Sequence, residues 1–336
     1  MPRYLYRYPG IVKTANRFMW RLAMRTENKN VNIHDTLALF ISCVAVYLVF
    51  KIIRPNNFGT MKNLASYFQQ ALMPAVAGCG LYFIVVMGLF DFSIGANIVL
   101  SALIGVIAGN RYGYIVFVLS IIVVSAFLGL INGIIYTKFK IPSIIVTIGM
   151  MIIYECIGTL IASGRVFTLN KNMGAFGRAP VNIIFASICF FIAYFLMTRS
   201  PIGIYTNAIG SNEKAASNMG INVNKCKIIA FVLAGMFAGM MSVLTVSYGN
   251  AMSPSANMTS MARSFTPLMG CFFAIAFKRS IHPIVSILVG ELIIAMIISG
   301  LIAIGFPSTL QNLIIGVILL TIIILTSHPK RDAVVK

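Results

Sequence analysis

The 336 residues are 59% apolar and 10% charged, and apolar runs of about 17 to 25 residues recur along the whole length, which excludes a soluble globular protein and leaves no gap for a soluble domain. Twenty-six Lys and Arg against seven acids give a formal charge of +19, but the basic residues flank the apolar runs as cytoplasmic anchors do, so nucleic acid is not an expected partner. Six cysteines scattered singly and three histidines at the ends of apolar runs offer neither a disulfide frame nor a metal site, and no cofactor is expected.

Residues 1–34 form a basic N-terminal segment with Arg3, Arg7, Lys13, Arg17, Arg21, Arg25 and Lys29 against the single acid Glu27. Apolar residues at 11, 15, 18 and 22 share a helical face, which suits a helix lying on an anionic leaflet; a solvated tail that only sets orientation fits equally well. No A-x-A-like site follows the first apolar run, so a cleaved signal peptide is not expected.

Ten spans follow, at 35–53, 64–87, 94–109, 114–137, 144–163, 181–197, 228–249, 265–277, 284–304 and 309–326, giving an all-α integral membrane protein with a transmembrane domain over 35–326. Threaded from a cytoplasmic N-terminus, 18 of the 26 basic residues fall inside. The central loop 198–227 and the tail 327–336 are then cytoplasmic. The eighth span is short: thirteen residues rise only about 20 Å against a hydrocarbon core of about 30 Å. Either its helix begins earlier, near Met258 with Arg263 buried or snorkelling, or it is re-entrant. Gly105 and Gly109, Gly129 and Gly133, and Gly235 and Gly239 are G-x-x-x-G pairs, which predict close helix packing within the chain.

Three acids stand in apolar surroundings, where each needs a partner, a water-lined cavity or an interfacial position. Asp91, in GLFDFSIGAN, is placed with Ser93 to cap a helix starting near Ile94. Glu155 lies near the middle of its span and Glu291 a third of the way into its own; either lines a path or makes a buried hydrogen bond, and for Glu155 the path is preferred.

The loop Thr198 to Lys227 is the longest polar interval between spans. Ser211 and Asn212 are helix caps, Glu213 puts an acid in the first turn, Lys214, Ala215 and Ala216 favour helix, and Gly220 stops it. A surface helix of about two turns results, too short to be stable alone in water. It is either a docking element for another protein or a capped connection.

Three stretches carry a resemblance. AIGSNEKAASNMGINV is similar to the A-I-G-x-N-x-x-A-A-x-x-x-G-I-x-V stretch of permease subunits of ATP-binding-cassette importers of ribose, galactose and xylose type. GLFDFSIGAN resembles the family's G-G-x-D-L-S-V-G-S, retaining Asp91, Ser93 and Gly95 and departing at Leu89 and Ala96. LGLINGIIYTKFKIPSIIVTIGMM resembles G-x-x-N-G-x-x-x-x-x-x-x-I-P-x-x-I-V-T-x-G, with Asn132, Gly133 and Pro142 in place. In the last third the family's glycine-rich turn is replaced by PLMGCFFAIAFKRSIHPIV.

The resemblance implies a permease in the bacterial inner membrane that imports a monosaccharide by alternating access. It makes Asn212, Glu213, Ala215, Ala216 and Gly220 the coupling helix for two separate cytoplasmic ATPase subunits, and Asp91, Ser93, Gly95, Asn132 and Glu155 the motif or path residues. An extracytoplasmic binding protein delivers the substrate, and a second permease subunit completes the pair, either an identical copy or, as the missing turn favours, a different chain. No P-loop is present, so the chain is expected to be a transport subunit without its own ATPase site. Import of nucleosides or a furanose-like signalling sugar, and ion-coupled secondary transport through Asp91, Glu155 and Glu291, are the alternatives.

Overall fold

The computed structural model describes residues 33 to 321 except 250, 279, 308, 309, 312, 315 and 319. The basic segment before residue 33 and the tail 327–336 lie outside the described residues. Helices run in the order α1 (Ile33–Ile53), α2 (Met61–Val85), α3 (Ile94–Tyr112), α4 (Tyr114–Phe139), α5 (Ser143–Ala162), α6 (Val181–Thr198), α7 (Pro201–Ser211), α8 (Glu213–Asn218), α9 (Val223–Gly249), α10 (Met261–Ala276) and α11 (Pro283–Ile304). Between them stand a short 3-10 helix, Lys171–Gly177, and two two-residue strands, Phe167–Thr168 (β1) and Ala251–Met252 (β2), paired antiparallel.

Eight helices among the described residues are long and apolar enough to cross a membrane: α1 to α6, α9 and α11. They match eight of the ten expected spans. The tenth, 309–326, is only partly described; its described positions from 310 to 321 are helical. α10 is the short eighth span. It begins at Met261, earlier than the expected 265, and its 16 residues rise about 24 Å. Arg263 stands on its exposed side.

Packing centres on α9, against which α4, α2 and α3 all lie. Its Phe231, Phe237 and Ala234 are fully buried in the main core. The glycine pairs explain how the backbones come so close: a Cβ on Gly129 would overlap the Phe231 carbonyl oxygen, and one on Gly235 would overlap that of Ser125. Gly105 and Gly109 receive Ile121 and Phe117 in the same way. All three pairs therefore pack inside the chain. Outward-facing Ile41, Val44, Leu48 and Ile52 make α1 an apolar column on the outside of the bundle.

Candidate functional site

The loop 198–227 is two helices and not one. Pro201 sits in the first turn of α7, where its missing N–H is harmless, after an extended Ser200. Ser211 is thereby the last residue of α7, its Oγ donating to the Asn207 carbonyl at 3.0 Å, and does not cap the next helix as expected. Asn212 alone does so: its Oδ1 accepts the Ala215 N–H at 3.0 Å. Glu213 opens α8 as the first-turn acid, and Gly220, at φ +86°, ends the segment in a conformation glycine adopts without strain.

Three contacts hold these two short helices against the bundle. Ala216 is 1% exposed and belongs to the main core. Gly210 at the end of α7 lies on the Val86 carbonyl, with no room for a Cβ. The Lys227 ammonium donates to Glu213 Oε1 and Oε2 at 2.9 and 3.0 Å, and to the Tyr136 hydroxyl at 3.3 Å. The Lys227 side chain is 9% exposed and that of Glu213 54%, so the pair ties a water-facing helix to the first turns of α9. Lys214, Ser217, Asn218 and Met219 form its free face.

A buried polar joint lies under this region. Asp91 Oδ1 accepts both the N–H and the O–H of Ser93, at 2.9 and 2.6 Å. Asn132 Nδ2 donates to Ser93 Oγ at 2.6 Å, and the Tyr154 hydroxyl donates to Asn132 Oδ1 at 2.9 Å. The turn bearing Asp91 is pinned by Ser143 and Thr147 of α5, whose oxygens accept the Phe90 and Phe92 N–H groups. Burial pushes the Asp91 carboxyl up to about 6, against the opposing pull of the hydrogen bonds from Ser93 and Asn132. Ser93 stands at the N-cap position of α3 as expected, but its side chain makes no capping hydrogen bond, because it and Asp91 are used within the turn. Ser264 of α10 supplies the side-chain acceptor for the first turn, accepting the Gly95 N–H at 2.9 Å and donating to the Phe92 carbonyl.

The chain matches the family described as "Branched-chain amino acid transport system / permease component" over residues 63–323. It belongs to this permease family. Among similar proteins, the ribose import permease of Escherichia coli is 26% identical over 87% of this chain and 93% of its own length. The ribose import permease of Bacillus subtilis is 28% identical over 90% and 97%. The L-arabinose transport system permease of Escherichia coli is 25% identical over 89% and 92%. No solved structure matches. The matched range runs through the last third, where the glycine-rich turn is missing.

In the permease, the motif residues Asp91, Ser93, Gly95 and Asn132 meet around the start of α3, and Glu155 reaches the same place from the other side. Its Oε2 accepts the Met258 N–H and its Oε1 the Ser260 N–H, both at 2.8 Å. These amides belong to the turn that begins α10, so the acid sits where a helix N-terminus presents donors. The Ser260 carbonyl lies on Gly95, where a Cβ would overlap it. Glu291, 1% exposed, accepts the Gly270 N–H at 3.1 Å through Oε1. Sequence reasoning passed over Tyr136, Tyr154, Lys227 and Ser264. Of these only Lys227, a cation four residues into an apolar helix, carried a signal of its own. Among the described residues no group of three or more metal-ligating side chains forms.

Proposed function

We propose that the chain is the permease subunit of an ATP-binding-cassette importer of monosaccharides. It forms the path through the inner membrane and takes mechanical work from separate ATPases at α8. The single observation that carries this reading is the capped helix α8, its outer face free and its inner face clamped by Glu213 and Lys227 to the central helix α9. A surface helix of six residues has no stability of its own. Fixed in this way it transmits displacement to the helix on which α2, α3 and α4 pack.

The reading includes two cytoplasmic ATP-binding subunits, a second permease subunit and an extracytoplasmic binding protein. It places α8 and both chain ends in the cytoplasm, as the distribution of basic residues favours. The sugar substrate class is favoured over amino acids by the ribose and arabinose permeases among the similar proteins. Ion-coupled transport is less well supported, because Asp91 and Glu155 are both engaged by structural hydrogen bonds.

The test is co-purification followed by uptake. The tagged chain is expected to bring down a nucleotide-hydrolysing subunit, and vesicles with the assembled complex and binding protein are expected to take up ribose, allose or arabinose only with ATP. Uptake that ignores ATP and collapses with the proton gradient would overturn the reading in favour of a secondary carrier.

A further inference from the structure

At the end of α9 away from Lys227, a cavity of about 250 Å³ lies between α2, α9, α10 and α11. Thr245 in its wall is eighteen residues beyond Lys227, about 27 Å along the helix axis. The cavity and α8 are thus at opposite ends of the same helix. With α8 in the cytoplasm, the cavity runs from the middle of the bundle at Glu291 toward its outer side at Thr245.

The wall combines a few polar groups, Gln70, Thr245, Thr266 and Glu291, with apolar surface from Met241 and Ile294. Glu291 Oε1 is taken by the Gly270 N–H, but Oε2 is buried without a hydrogen-bond partner. A buried carboxyl oxygen left unpaired is costly and rare in folded proteins. Gly270 leaves space at this point, since a Cβ there would stand 2.5 Å from Glu291 Oε1. The volume equals about eight water molecules. A monosaccharide is of a size to fit it. Hydroxyl groups supply donors for a carboxyl and an amide, and the C–H faces of a sugar ring suit Met241 and Ile294.

We propose that this cavity is a subsite for a neutral monosaccharide during passage through the permease, with Glu291, Gln70 and Thr245 holding its hydroxyl groups. The proposal rests on the permease function given above. It assigns Glu291 a ligand contact, distinct from the structural contact made by Glu155.

The test uses the assembled transporter with its ATPase and binding protein in vesicles, and radiolabelled D-ribose, D-allose and L-arabinose. Thr245→Cys and a substitution at a second wall residue of α11, Ile298→Cys, are modified after assembly with a charged, membrane-impermeant thiol reagent. Uptake is expected to fall about tenfold or more on modification, the parent chain being unaffected by the reagent, and added sugar is expected to slow the labelling. Glu291→Leu is expected to lose about tenfold or more in uptake, whereas Glu291→Gln, which still accepts and donates, stays within about threefold. Cysteines that do not react, or a parent-like rate in the modified proteins and in Glu291→Leu, would overturn the subsite while leaving the permease function standing, because the parent still moves sugar. A parent that moves none of the three sugars, or moves leucine instead, would overturn both.

Discussion

Glu213 and Lys227 form a two-point ion pair, 2.9 and 3.0 Å, between the short helix α8 and the first turns of α9. Its two ends differ in solvation. Lys227 is almost wholly buried, and Glu213 is half open to water. Removing Glu213 leaves a buried ammonium with only the Tyr136 hydroxyl, at a cost of about 1 to 3 kcal/mol, whereas removing Lys227 leaves a carboxylate that water can solvate. Glu213→Ala is therefore expected to lower the unfolding temperature of the purified permease more than Lys227→Met. Both are expected to reduce uptake per ATP hydrolysed, measured with the assembled complex. Equal uptake per ATP in all three proteins would show that α8 transmits no force through this pair.

Glycine substitutions separate close approach from mere presence of glycine. A Cβ at Gly95 would overlap the Ser260 carbonyl, a backbone atom that cannot swing aside, while Gly149 has nothing within 4 Å. Gly95→Ala is expected to cost about 1 to 3 kcal/mol by forcing α3 and the start of α10 apart, and Gly149→Ala to be neutral or slightly stabilising. Detergent-solubilised unfolding temperatures of the two variants check the contrast.

What could be read from the residues alone divides along the same line. Apolar runs mark helices because the bilayer requires backbone groups to be satisfied within the segment, so eight expected spans return as α1 to α6, α9 and α11. Asn212, Glu213 and Gly220 were legible because capping is local chemistry. α7 was not, since the mixed polarity of IGIYTNAIG lacks a clear helical stripe and its only marker is Pro201. Glu155 was visible as an expensive residue, but its partners are backbone amides at 258 and 260, which no side chain announces. Ser264 stands 169 residues from the Gly95 N–H it receives, a distance that local patterns do not span.

The Glu155 clamp makes a directional expectation. Glu155→Gln keeps one acceptor oxygen but turns an N–H₂ toward a backbone N–H, so one of the two bonds to Met258 and Ser260 is lost and replaced by donor facing donor. The start of α10 is expected to loosen, at a cost of about 1 to 3 kcal/mol. Faster proteolysis of the 253–260 segment in folded Glu155→Gln than in the parent reads this out. Uptake is expected to fall with it, and more steeply than expression. An unchanged cleavage rate would mean that the turn does not depend on the acid.

Asp91 gives the permease a pH dependence of definite sign. Its carboxyl is held at about 6 instead of the ordinary 3.8, with burial the largest cause. The folded state therefore keeps a proton that the unfolded state releases between these two values. The contribution of Asp91 to stability is greatest below 3.8, falls as pH rises to about 6, and is level above it, the full loss being on the order of 3 kcal/mol. Asp91→Asn retains an oxygen to accept the Ser93 N–H and cannot ionise, so this contribution to the slope should vanish and stability near neutral pH should rise. Unfolding temperatures of both proteins between about pH 4 and about pH 7.5 measure the difference. A parent and an Asn variant with parallel profiles would show that Asp91 is ionised without penalty, and that Ser93 and Asn132 solvate its charge as well as water does.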